Sequence, residues 1–191
     1  MIRLFIAWPL SPEVEQELGR IEFLLKQKGG RVSWVAPKNI HLTARFLGDT
    51  DEKLVVNLKD LIDSVAEKPH AVSLTIDKLG AFPDMKRPRV IWAGLSGDTS
   101  PLQATADLIE RAVCELGYTP EPKKFRPHLT LGRVKDPRGV EALMMAVQQF
   151  RPSPTSVVLD RLVLFRSTLT PQGSIYERLH ERVVGASERF E

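Results

Sequence analysis

The chain has 191 residues, 42% of them hydrophobic and 27% charged, with no low-complexity tract, so it can bury a core as one large domain or two small lobes. A net charge of +3 and a pI near 9.1 tolerate a polyanion without demanding one. The lone cysteine, Cys114, excludes an intrachain disulfide, and no stretch approaches the roughly 20 apolar residues that span a bilayer. The apolar run at the N-terminus is short, is broken by Arg3 and lacks a small-residue cleavage site, so a cytoplasmic protein with no membrane role is expected.

Residues 2–8, IRLFIAW, read as a buried strand. Ser11 and Pro12 give the cap and first-turn signals of a helix that carries Val14, Leu18, Ile21 and Leu25 at helical spacing and ends at Gly29-Gly30. A short strand around residues 32–35 follows, then an apolar strand over about 40–47. Asp49 to Asp51 open a second helix with Leu54, Leu58, Leu61, Ile62 and Val65 inward, which Pro69 stops. Alternation at Val72, Leu74 and Ile76 marks a half-exposed strand over 71–79. The loop DMKRPR leads to the strand VIWAGL at 90–95. Thr99, Ser100 and Pro101 repeat the cap-plus-proline signal for a third helix, which Gly117 closes; Cys114 is a packing residue within it. The next strand covers 128–134, and Asp136-Pro137 opens a helix with Val140, Leu143, Met144 and Val147. Residues 156–169 read as one long strand bent near Asp160. A turn at 170–173 permits a hairpin with 175–179, and the tail beyond Val184 is expected to fray.

One tripeptide occurs twice, as His41-Leu42-Thr43 in HLTARFLG and as His128-Leu129-Thr130 in HLTLGRV. In a strand, residues i and i+2 share a face, so each imidazole lies beside its threonine while Leu42 and Leu129 point into a core. The two halves match in kind, strand, helix, histidine strand, helix, strand, with IRLFIAW corresponding to RVIWAGL. This predicts an α+β bilobal fold across 1–191: two lobes, roughly 1–80 and 85–180, related by a pseudo-two-fold axis. Each lobe has mainly antiparallel sheet with outer helices and gives one motif to a central cleft. The strands after the second motif can return to the sheet begun at residue 2, so an exchange of neighbouring strands between lobes is allowed.

Facing histidines suit acid–base chemistry at a phosphate, because one imidazole can be neutral while its neighbour is protonated near neutral pH. Threonine hydroxyls can donate to non-bridging oxygens, where charge develops. Basic residues flank the second motif on both sides, Lys123, Lys124 and Arg126 before it and Arg133, Lys135 and Arg138 after it, and favour an anionic substrate. With four histidines, one cysteine and no HExxH or paired CxxC, no metal cage is recognisable, and none is expected. His70 and His180 lack the motif and read as a loop residue and an exposed strand-end residue. Trp8, Trp34 and Trp92 read as core or rim aromatics. Phe46 and Trp34 are also candidates to stack on a base, which the sequence does not separate from packing.

The two motifs resemble the paired H-x-T signatures of the 2H phosphoesterase superfamily, and within it the RNA 2′,3′-cyclic phosphodiesterases, also called 2′-5′ RNA ligases. RLFIAWPL, FRPHLTLGRV and LFRSTLTPQGSIY extend the likeness over nearly the whole chain. The resemblance implies hydrolysis of a 2′,3′-cyclic phosphate at an RNA end to a 2′-phosphate, with no metal or other cofactor. It implies His41 as general acid, His128 as general base, and Thr43 and Thr130 as phosphate holders. Arg133 matches a family arginine five residues after the second histidine, a candidate phosphate ligand. Strict alternation would turn Arg133 away from His128, so that role requires a bulge, with Gly132 the candidate. Ala44 departs from the commoner HLTLRFLG at an inward position, where only packing is expected to change.

Three functions follow to be weighed: a cyclic phosphodiesterase acting on RNA ends or small cyclic nucleotides, a non-catalytic nucleotide- or RNA-binding module in the same cleft, and RNA ligation as the reverse of the first. Intact copies of both motifs favour the enzyme. A monomer with no obligate protein partner is expected.

Overall fold

A computed structural model describes residues 1–67, 71–171 and 173–185 of the chain. Pro69 and His70, and all of the tail beyond Val184 except Gly185, lie outside them. Nine strands form two antiparallel sheets among the described residues. The first has the order β3-β1-β8-β9: β3 is His41–Thr50, β1 Ile2–Pro9, β8 Arg161–Thr170 and β9 Gly173–Val183. The second has the order β2-β6-β5-β4-β7: β2 is Arg31–Trp34, β6 His128–Asp136, β5 Val90–Ser96, β4 Val72–Phe82 and β7 Ser156–Leu159. Four helices complete the α+β fold, α1 Pro12–Lys26, α2 Val55–Ala66, α3 Ser100–Glu115 and α4 Glu141–Gln149. Each sheet carries one H-x-T strand.

Each motif strand lies antiparallel to the strand that the comparison of the halves assigns to it. Trp8 faces Leu42 across β1 and β3, and Ala93 faces Leu129 across β5 and β6. Leu42 and Leu129 are 1% and 0% exposed, as the alternation requires. Sheet membership does not follow the halves of the chain. β2 and β4 join the second motif's sheet, while β8 and β9 return to the sheet of β1.

The core explains why β1 is apolar throughout. Leu4, Ile6 and Trp8 enter the main core, which also holds Ile76, Ile91 and Leu129 of the second sheet. Phe5 and Ala7 point the other way and join Val163 and Phe165 in a smaller cluster against Tyr176. That second cluster forms the floor under the first histidine.

Several boundaries differ from the sequence reading: β4, β6 and β9 are longer than expected, and four further differences change an element. Residues 156–169 are two strands, not one bent strand: at Asp160 the chain leaves the edge of the second sheet and enters the centre of the first. Asp136-Pro137 opens a turn, not a helix; the Asp136 carboxylate accepts from the Arg138 N–H at 3.0 Å, Gly139 takes φ +70°, and α4 begins only at Glu141. β3 runs through Thr50, and the acidic run then caps a single 3-10 turn, Glu52–Leu54, through Asp51 before α2 begins. For α3 the capping side chain is Asp98, which accepts from the Ser100 N–H at 3.0 Å, and not Thr99. Ser11 does cap α1, accepting from the Val14 N–H at 3.4 Å. None of the described helices is long and apolar enough to cross a membrane.

Candidate active site

His41 opens β3 directly after a 3-10 turn, Pro37–Asn39. Its Nδ1 lies 2.8 Å from the Asn39 carbonyl oxygen, which can only accept, so Nδ1 carries the proton and Nε2 is left free. The Asn39 side chain donates in turn to the Ser174 carbonyl at 2.9 Å, which ties the turn to the β8–β9 hairpin. The imidazole stacks on Phe5 at 4.7 Å and meets the edge of Tyr176 at 5.4 Å. His128 repeats the arrangement at the start of β6: Nδ1 lies 2.7 Å from the Arg126 carbonyl oxygen, and the ring meets Phe82 edge-on at 5.1 Å. Phe82 is itself packed on Trp92, whose ring lies flat across Gly80 where a Cβ would stand 2.3 Å away. Two pinned imidazoles, each presenting the same nitrogen, result from two unrelated aromatic supports.

Both strands then break register just past the threonine. In β3 the pairing with β1 steps from Ala7–Thr43 to Ile6–Arg45, skipping Ala44. In β6 the pairing with β5 steps from Trp92–Thr130 to Ile91–Gly132, skipping Leu131. A bulge inverts the alternation beyond it, so the fifth residue after each histidine returns to the histidine's face. Those residues are Phe46 and Arg133. Together with His41, Thr43, His128 and Thr130 they line one open cleft of about 2140 Å³ between the sheets. The structure therefore brings all six sequence candidates into one space. Neither threonine hydroxyl is engaged by another described group, and Trp34 also lines the cleft, beneath Lys26 at 5.7 Å. Ala44, expected only to pack inward, packs partly against the core and also lines the cleft.

The bulge in β3 also buries Arg45, which the sequence reading passed over. Its guanidinium, 9% exposed, pairs with Glu110 of α3 at 2.7 Å and Glu121 at 3.1 Å, and donates to the carbonyls of Thr119 at 2.6 Å and Phe46 at 2.8 Å. It fastens the first motif to the segment that leads into the second. His180 is not the exposed strand-end residue expected: it lies within β9, is half-buried, and its Nε2 sits 2.6 Å from Asp63 of α2, outside the cleft. Cys114 is half-buried, with its thiol 3.6 Å from Glu110, and burial pushes it up from the usual thiol range. Among the described residues no three His, Cys, Asp or Glu side chains come together in a group able to hold a metal ion.

Burial pushes His41 down from its usual 6.5 to about 4, with the Asn39 carbonyl opposing the shift. His128 is also held low, by burial first and then by the Arg133 charge, against the pull of the Arg126 carbonyl. A histidine buried neutral binds fewer protons folded than unfolded. His41 therefore contributes stability that is fully present above about pH 6.5 and is lost as pH falls towards 4. The expected loss is about 3 kcal/mol at the acid end. Urea midpoints measured from pH 7.5 to pH 4 check it: the midpoint falls steadily in the wild type and less steeply in His41→Gln.

The chain is similar to known proteins over nearly its whole length. The family model described as LigT-like phosphoesterase matches residues 9–92 and 96–176. A protein of Aeropyrum pernix named RNA 2′,3′-cyclic phosphodiesterase is 32% identical over 173 residues, covering 90% of this chain and 97% of its own. One of the same name from Thermotoga maritima is 33% identical over 181 residues, covering 94% of each chain. Among solved structures, TT0787 of Thermus thermophilus superposes with a TM-score of 0.78 at 26% identity, over 97% of this chain and 100% of that one. The chain belongs to the LigT-like phosphoesterase family.

Proposed function

We propose that this protein hydrolyses the 2′,3′-cyclic phosphate at an RNA end to a 2′-phosphate, by two-histidine acid–base catalysis without a metal. The observation that carries the reading is the pair of imidazoles, each with Nδ1 committed to the carbonyl two residues upstream, facing one cleft from separate sheets. His128 takes a proton from water as the water oxygen bonds to phosphorus. The P–O3′ bond breaks and His41 gives its proton to O3′, while the O2′–P bond is kept. Thr43 and Thr130 donate to the non-bridging oxygens, where charge accumulates in the transition state. A 5′-hydroxyl in place of water takes the same steps in the same direction and leaves a 2′–5′ linkage; bulk water favours hydrolysis.

The division of roles rests on the residues delivered by the two bulges. Arg133 places a cation beside His128, which disfavours the imidazolium and keeps the base neutral. Phe46, the corresponding residue after His41, brings no charge. An anionic phosphate beside His41 offsets its desolvation, so the acid is loaded as substrate binds. Replacing Arg133 by glutamine is expected to lower kcat/KM by roughly 10- to 100-fold, through lost charge stabilisation. It also raises the pKa of His128, so the acid limb of the pH–rate profile moves to higher pH. Steady-state kinetics from pH 5 to 9 show both effects.

The test of the function uses a short oligoribonucleotide ending in a 2′,3′-cyclic phosphate, incubated with the protein in EDTA. Conversion to a 2′-phosphate is expected. Tight binding with no turnover would instead make the cleft a nucleotide-binding module.

A further inference from the structure

The cleft is chemically lopsided. Around His41 its wall is apolar and aromatic, with Phe46 49% exposed, Ile175 60% exposed, and Tyr176 against the imidazole. Elsewhere it is cationic: Arg126 and Arg133 flank His128, Arg87 and Arg89 come from the β4–β5 loop, and Lys123 and Lys124 from the loop before β6. Lys38, on the turn before His41, also lines the cleft and has no ion pair among the described residues.

Most described arginines outside the cleft are neutralised within the chain, Arg3, Arg111 and Arg151 excepted. Outside the cleft, Arg20, Arg138, Arg161, Arg166, Arg178 and Arg182 are each paired with a carboxylate of this chain. Within it, none of these six has a carboxylate within ion-pair distance among the described residues, and only Arg87 has one, Asp84, close enough to lower that acid's pKa. Of the cleft's three carboxylates, Glu110 and Glu121 are taken by Arg45, and Asp107, which accepts from the Gln103 side chain at 2.9 Å, is within ion-pair distance of none of the six. Six cations converging without counter-charge repel one another, and an anion between them relieves that repulsion. The space also exceeds one terminal nucleotide, since the cleft of about 2140 Å³ is larger than the roughly 300–1,000 Å³ of pockets that enclose a single small ligand.

We propose that these six cations, with Arg126 and Arg133 nearest His128, form a subsite for the backbone phosphates upstream of the cyclic end, so that the protein selects an RNA chain over a cyclic mononucleotide. The inference rests on the proposed function and fixes its polarity. The terminal base lies on the Phe46 side, and the chain leaves across Arg126 and Arg133 towards Lys123, Lys124 and Arg89. Flexible lysines and arginines in loops suit this task, because the upstream phosphates must be held in any sequence and without reading a base.

The test compares a nucleoside 2′,3′-cyclic phosphate with a tetranucleotide ending in the same nucleotide, over a series of KCl concentrations. The tetranucleotide is expected to have the higher kcat/KM, by 10-fold or more, and the steeper fall with salt, since each phosphate–cation contact on a single strand adds about 0.7 to the logarithmic slope. The double variant Lys123→Gln/Lys124→Gln lowers the tetranucleotide-to-mononucleotide ratio of kcat/KM and flattens the tetranucleotide's salt slope. Phe46→Ala lowers kcat/KM for both substrates by the same factor and leaves the ratio unchanged. Equal kcat/KM and equal salt slopes for the two substrates would overturn the subsite while leaving the proposed function standing. Hydrolysis of neither would overturn both.

Discussion

Replacing either His41 or His128 by alanine is expected to lower kcat/KM on a cyclic-phosphate-ended oligoribonucleotide by roughly 10²–10⁴-fold. The size follows from the role of each group: one removes a proton from the attacking water and the other supplies one to the leaving oxygen, so losing either leaves an unassisted proton transfer. The double variant is expected to be little worse than either single one, because the two act as a unit on one transition state. His180→Ala is the control. It loses the contact with Asp63 of α2, far from the chemistry, and is expected to keep its kcat/KM. Steady-state kinetics, with thermal melting to show that each variant is folded, give the comparison. A His41 or His128 variant that retained full activity would remove that residue from the reaction.

The largest expected effect on stability comes from Arg45→Met. The guanidinium is 9% exposed and meets two carboxylates and two backbone carbonyls, so its loss removes a cation from both carboxylates and a donor from both carbonyls. Breaking a buried ion pair from one side costs about 3–5 kcal/mol. Glu110 and Glu121 are 29% and 45% exposed and regain some hydration, which puts the expected loss near the lower end, about 3 kcal/mol. Arg45 also anchors the segment between Thr119 and Glu121, which leads to the Arg126 carbonyl that holds His128. The variant should therefore lose activity as well as stability. Urea unfolding at neutral pH measures the first, and a loss below about 1 kcal/mol would mean that the Arg45 node does not hold the two parts together.

The sequence disclosed most where a short period decides the outcome. The alternation in HLTARFLG and HLTLGRV placed histidine and threonine on one face and leucine in the core, and both placements stand in the structure. It was least legible where two arrangements share one pattern. The run from Val157 to Leu164 reads alike whether it continues in one sheet or crosses at Asp160 to another, because all its apolar side chains but Val158 are buried. Asp136-Pro137 signals a turn as readily as a helix start, and the positive φ of Gly139 decided for the turn. The bulges mattered most. Alternation alone puts Arg45 beside His41 and turns Phe46 away, whereas the skipped Ala44 buries Arg45 and returns Phe46 to the cleft. For Arg133 the need for such a bulge was apparent, since its assigned role conflicted with its parity; no such conflict drew attention to Arg45. The carboxylate partners of Arg45 and His180 are far away in the chain, 117 residues in the case of His180, and leave no local trace.

The pH dependence of kcat on the cyclic-phosphate-ended oligoribonucleotide, from pH 4 to 9, tests the two-histidine account most directly. The predicted result is a bell, with an acid limb from protonation of His128 and a basic limb from loss of the His41 proton. The basic limb should lie at higher pH in kcat, which reports the complex, than in kcat/KM, which reports the free protein in which burial holds His41 at about 4. A kcat that stays flat through pH 5 to 8 would contradict it.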